Sequence, residues 1–213
     1  MNHYYDFKYP YLQYYGVDYD HNHIYCSIPP QMLADKYIQK FGVTPKTFFD
    51  CGAATGIIIK MAMDYGMDAR GIDIHKYPPQ PALIKMRLNG TMGIYPTPNT
   101  EQFIKSGRIQ IKSITKIIPV TADIAFCNGS LACLAEKEVG IAISKFKNVN
   151  MVCMIDNTTE DIDAAKSMGN DLLADNATKT IRPNQWWIEK FNNNGFQTEF
   201  DHKLHSIIAT KQK

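Results

Sequence analysis

From residue 30 onward, runs with helical spacing of apolar positions alternate with short runs of strand character. The segment 29–42, PPQMLADKYIQKFG, has proline in its first turn and Gly42 just past its end, which predicts a helix. KTFFDC (46–51) is a short apolar strand, and TGIIIKMAMDYG (55–66) reads as a helix ended by Gly66. ARGIDI (69–74) predicts a second strand, followed after a proline cluster by a helix over PALIKMRLNG (81–90). A brief helix around 101–106 takes Asn99 as its cap, and RIQIKSI (108–114) alternates at period two as a third strand. ADIAFC (122–127) and NMVCMID (150–156) give the fourth and fifth strands, separated by the helix EKEVGIAISKFK (136–147). A helix from Glu160 to Met168 and another over PNQWWIEKFNNNG (183–195) follow, and FQTEFD (196–201) and LHSIIAT (204–210) close the chain as an antiparallel pair.

This alternation predicts an α/β three-layer sandwich, with a mostly parallel sheet covered by helices on both faces. The last two strands have no helix between them and should add to the sheet antiparallel. In such sheets ligands bind beyond the carboxyl ends of the strands, at the switch point beside the first strand. The whole chain, 1–213, is expected to form one domain, with a core over 29–213 and a distinct segment over 1–28. That segment holds eight of the twelve tyrosines within its first 25 residues, interleaved with Asp18, Asp20, His21 and His23. It is expected to act either as a lid that excludes water from a ligand or as an interface, where tyrosine is enriched.

Composition changes little in this picture. The 213 residues are 45% hydrophobic and 21% charged, ordinary values for a globular protein. A net charge of +2 is too small to announce a nucleic-acid partner. Lys105, Arg108, Lys112 and Lys116 alternate with isoleucines and read as the solvated sides of a helix end and a strand. No apolar run approaches the roughly 20 residues of a membrane helix, and the first residues lack the pattern of a signal peptide, so the expected location is cytoplasmic. Five cysteines without a CxxC pair argue against a disulfide framework or a zinc site, and no metal is expected. Cys51, Cys127 and Cys153 fall in apolar strands as small core residues. Trp186 and Trp187 point about 100° apart on a helix, so one should pack in the core and the other lie partly exposed.

The chemistry concentrates in two loops. FDCGAATG (49–56) begins at the end of the first strand and opens a helix. Glycine there lets the backbone approach a ligand, and a helix N-terminus presents free amide donors. Asp50 at the strand end suits a cationic group. Gly52 and Gly56 are spaced G-x-x-x-G, so the dinucleotide pattern G-x-G-x-x-G is not met. Asp73, 17 residues past Gly56, ends the second strand and can accept both hydroxyl hydrogens of a ribose.

Taken in order, FDCGAATG, GIDIHKY, DIAFCNGSLACL and WWIEKFNNNGF resemble successive signatures of the class I, seven-stranded S-adenosylmethionine-dependent methyltransferases. The resemblance runs from about residue 30 to the C-terminus, with Ala54 in place of the family's middle glycine. It implies a seven-stranded sheet and S-adenosyl-L-methionine as cofactor. Asp50, Gly52, Ala53 and Gly56 would surround the methionine portion, and Asp73 would hold the ribose with Ile74 against the adenine. Ser113 and Ile114 would border the adenine edge; the family often has an acidic residue there, and Ser113 departs from it. Cys127, Asn128 and Gly129 would flank the reactive methyl. The Asn/Asp-Pro-Pro-Tyr/Phe motif of base-amino methyltransferases is replaced by Cys127-Asn128-Gly129-Ser130.

The expected reaction is methyl transfer to an oxygen or nitrogen of a small-molecule acceptor. Alignment and desolvation would supply most of the acceleration. If the acceptor must lose a proton, Asp20, His21, His23, Asn128 and Asp156 are the candidate bases by position. A noncatalytic adenosylmethionine-binding subunit and an RNA or protein methyltransferase are the rival readings.

Overall fold

The computed structural model describes residues 24–74, 76, 83–88, 91–156, 158–160, 163, 167 and 179–211. The expectations for Asp20, His21 and His23, and most of the helix expected from Glu160 to Met168, lie outside the described residues. The strands are β1 (Ile24–Ser27), β2 (Thr47–Cys51), β3 (Asp68–Asp73), β4 (Leu83–Leu88), β5 (Thr91–Pro96), β6 (Ile109–Ile111), β7 (Thr121–Asn128), β8 (Asn148–Ile155), β9 (Phe196–Asp201) and β10 (Ser206–Lys211). The helices are α1 (Pro30–Phe41), α2 (Ile57–Asp64), α3 (Thr100–Lys105), α4 (Glu136–Ser144) and α5 (Asn184–Asn192).

The main sheet has seven strands in the order β6-β3-β2-β7-β8-β10-β9. Strands β6, β3, β2, β7 and β8 run parallel, and β10 runs antiparallel to both β8 and β9. The last strand therefore inserts between β8 and β9 and leaves β9 at the edge. Burial on both faces explains the near-continuous apolar runs of β7 and β8. Phe126, Met151 and Cys153 face a layer built from Leu33 and Tyr37 of α1 and Ile58 and Ile59 of α2. Ala125, Cys127 and Val152 face the opposite layer, with Val139 and Ile143 of α4 and Trp187 and Phe191 of α5. The three-layer α/β architecture follows the sequence expectation.

Three strands, β1, β4 and β5, depart from it. Residues 83–88 form a strand, not the helix expected over 81–90, and pair antiparallel with β5 and parallel with β1 in a separate three-stranded sheet. Leu, Lys, Met and Arg are good helix formers, but propensity is a weak prior and tertiary pairing overrides it. The ladder pairs Leu88 with Thr91, which leaves Asn89-Gly90 as the connection. That dipeptide is the strongest short-range hairpin signal. Met86 and Leu88 turn inward and join the core beneath α1 and α2, so the small sheet covers that layer. The first 28 residues likewise include a strand, β1, whose partner is β4.

Smaller expectations hold. Asn99 caps α3, its side chain accepting from the Gln102 N–H at 3.0 Å. Trp187 is fully buried, whereas Trp186 is half-buried, with the Lys190 ammonium 4.8 Å over its ring. Lys105, Lys112 and Lys116 are exposed, and Arg108 pairs with Asp68 at 2.9 Å. Strand β6 is shorter than its period suggests, because Ser113 starts a 3-10 turn over Ile114–Lys116. Among the described residues, no helix is long and apolar enough to cross a membrane.

Candidate cofactor site at the carboxyl ends of the central strands

The loop after β2 is bound to the end of β3. The Gly52 and Ala53 N–H groups both donate to the Ile72 carbonyl, at 2.9 and 2.8 Å. The Ala54 N–H donates to the Asp73 carboxylate at 2.8 Å. This tight approach requires Gly71, because a Cβ there would lie 2.5 Å from the Asp50 carbonyl oxygen. Gly52 has φ +89, and a Cβ on it would meet the Ser130 Cβ at 2.8 Å, so the loop after β7 closes on it from the other side. Gly71 was not among the residues expected to build the site, and its signal was its place two residues before Asp73.

Ala54 has φ 47, a left-handed conformation that costs a residue with a Cβ about 1–2 kcal/mol. The family pattern puts glycine at this position, so the substitution keeps the turn at the expense of strain.

Asp50 and Asp73 are both buried, at 3% and 5% exposure, on the same face of adjacent strands. Burial, and secondarily the neighbouring Asp73 carboxylate, push the Asp50 carboxyl up to about 8. Such a pair of acids is uncomfortable alone and is relieved by a cation. Ile74, just beyond, is 53% exposed, an apolar surface that a flat ring would cover.

The remaining expected residues are spread by role. Ser113 uses its hydroxyl locally, accepting from the Thr115 N–H at 3.3 Å. The Ile114 side chain is buried in the core in the same cluster as Val139 and Ile143, not on a ligand surface. Cys127 is fully buried in the same cluster, opposite Cys51 in the β2–β7 register, and burial raises its thiol well above the usual range. Its side chain thus belongs to the core. Asn128 and Gly129 follow at the strand end, and the Gly129 N–H donates to the Ile155 carbonyl at 2.8 Å. Asp156 accepts from the N–H groups of Leu131 and Ala132 at 3.2 and 3.3 Å, and so shapes the loop after β7. Among the described residues, no cluster of His, Cys, Asp and Glu suits a metal ion.

No protein-family model matches the sequence, and a search among curated proteins finds no match. Solved structures do resemble it. The plantazolicin methyltransferase BpumL, solved with a triazolic desmethylPZN analogue and SAH, aligns with a TM-score of 0.59 at 8% identity, over 85% of this chain and 83% of its own. The small RNA methyltransferase HEN1 aligns at 0.57 and 11% identity over 87% of this chain, which spans only 25% of that protein. The Burkholderia thailandensis 1,6-didemethyltoxoflavin N1-methyltransferase aligns at 0.53 and 11% identity, over 86% and 78% of the two chains. The chain therefore has the class I fold of the S-adenosylmethionine-dependent methyltransferases, with a three-stranded sheet added to one face.

Proposed function

We propose that this protein binds S-adenosyl-L-methionine across the carboxyl ends of β3, β2 and β7, and transfers its methyl group to an oxygen or nitrogen of a small-molecule acceptor. The observation that carries the proposal is the clasp between the β2 loop and Asp73, in which two buried carboxylates, Asp50 and Asp73, flank the turn at the carboxyl ends of the strands. Bound there, the cofactor would supply an activated methyl on a cationic sulfur. Asp50 would face the cationic tail, and the Asp73 carboxylate would accept from the ribose hydroxyls. Ile74 would cover the adenine face, and Asn128 and Gly129 would line the methyl. Asp156 is engaged with backbone amides, which makes it a positioning group for the acceptor loop. Solved neighbours acting on small molecules support a small acceptor, and the modest net charge agrees.

Calorimetry with S-adenosylmethionine and S-adenosylhomocysteine tests the cofactor. Asp73→Ala should weaken both by at least about tenfold; unchanged affinity removes the ribose assignment. A screen of metabolite, RNA and peptide pools for labelled methyl incorporation tests the acceptor. Labelling confined to RNA or peptides would overturn the small-molecule reading, and no labelling beside intact binding would favour a noncatalytic subunit.

A further inference from the structure

The three-stranded sheet added to the fold is apolar on both of its faces. Met86 and Leu88 of β4 turn inward and are buried in the layer of α1 and α2. A sheet with one wet face ordinarily carries polar residues on the other side of each strand. Here the outer side holds Met92 and Ile94 of β5, 45% and 66% exposed, and Leu83 of β4, 59% exposed. Pro96, paired with Leu83, is exposed as well. In register, Lys85 of β4 stands between Ile24 of β1 and Ile94 of β5, and Arg87 between Cys26 and Met92. Two basic positions therefore occupy the middle strand, with apolar positions on either side.

That arrangement discriminates among possible covers. A second copy laid face to face would set the basic pair against its own counterpart, and like charges repel. A lipid surface suits basic residues at the rim of an apolar patch, from which they reach the headgroups, rather than in its middle. A segment of aromatic rings and carboxylates suits both features, because ring faces attract cations and carboxylates pair with them. The 23 residues before Ile24 have that composition: seven tyrosines, Phe7, and Asp6, Asp18 and Asp20 against a single lysine, Lys8. They join the sheet at β1, the strand next to β4. Residues 18–23 alone reach up to about 20 Å when extended, and a three-stranded sheet is only about 10 Å across.

We propose that residues 1–23 dock on the outer face of the small sheet, with tyrosine rings over Met92 and Ile94 and Asp18 or Asp20 on the basic pair of β4. The contact is independent of the cofactor reading and concerns a face that the cofactor loops do not use.

Carbodiimide coupling of the full wild-type chain tests the pairing directly, because it joins an amine to a carboxylate only where the two touch. Mass spectrometry should find Lys85 linked to Asp18 or Asp20. In a mixture of light and heavy-isotope chains, the links should stay within one isotope. Links between isotopes would hand the face to the arm of a second copy, and no link from Lys85 to residues 1–23 would overturn the contact. Chymotrypsin supplies an independent readout. Met92→Ser combined with Ile94→Ser, both outside the cofactor site, should speed cleavage after the tyrosines of residues 1–23 by about tenfold, with far-ultraviolet dichroism unchanged. Cleavage at the wild-type rate would sink the proposal. Wild-type chain that sediments with phosphatidylglycerol vesicles, in a manner lost in the double variant, would assign the face to a lipid surface instead.

Discussion

Ala54 and Asp50 show at single residues how the loop trades stability for a binding surface. Ala54 is held at φ 47, so replacing it by glycine relieves strain while adding freedom to the unfolded chain. Ala54→Gly should be neutral or stabilising by up to about 1 kcal/mol. Ala53→Gly, at a buried position without positive φ, should cost about 1 kcal/mol by chemical denaturation; equal effects at both sites would contradict the strain. Asp50 acts through its proton. Its carboxyl stands at about 8 in the fold, above the ordinary range, so the folded state binds the proton more tightly than the unfolded chain does. Stability is then fullest below about pH 4 as far as this group is concerned, and declines as pH rises toward 8. Asp50→Asn removes that decline, and its melting temperature should exceed that of the wild type by a margin that widens between pH 5 and pH 8. The same variant should bind S-adenosylmethionine more weakly, since the cation loses its counter-charge. A constant margin across that range, or a variant that binds as tightly, would rule out this role.

At the scale of elements, the sheet is fastened at the end opposite the loops after β2 and β7 by one carboxylate. Asp123 at the start of β7 accepts from the N–H groups of Lys46 and Thr47 at 2.7 and 3.0 Å and from the Thr47 hydroxyl at 3.0 Å. It also accepts from Tyr37 of α1 and Asn150 of β8, each at 3.2 Å, so one side chain ties α1, β2 and β8 together. Burial opposes its charge, but these donors outweigh burial and hold the carboxyl below the usual range. Its contribution is present above about pH 4 and fades as pH falls through the folded value. Asp123→Ala should therefore cost about 2–3 kcal/mol at neutral pH, and the gap to wild type should shrink in urea melts near pH 3. A gap that stays constant with pH would exclude the carboxylate as its source. Strands and helices with a strong period, such as β7, β8 and α1, are legible in the sequence because burial dictates their composition. The β4–β5 hairpin is harder to read, since LIKMRL suits either state and only Asn89-Gly90 discriminates. Asp50 and Asp73 are legible because they close strands beside glycines. Ser130 and Gly71 are not, because their roles arise from contacts between loops far apart in sequence.

Across the whole molecule, the two apolar layers share the same strands, so neither core can empty without exposing the other. Unfolding should follow a single transition, with Trp187 emission and far-ultraviolet dichroism changing together. Midpoints that separate would show the added three-stranded sheet melting on its own. The order of the main sheet also bears on how the protein is made. Ile207, Ile208 and Ala209 of β10 are buried between β8 and β9, so the penultimate place in the sheet is filled by a strand that follows both of its neighbours in the chain. Until residue 211 has left the ribosome, β8 has an open edge and β9 has no neighbour. The nascent chain thus carries a sticky, unfinished sheet until β10 emerges, and depends on rapid closure at that point, or on a chaperone's shelter, to escape aggregation.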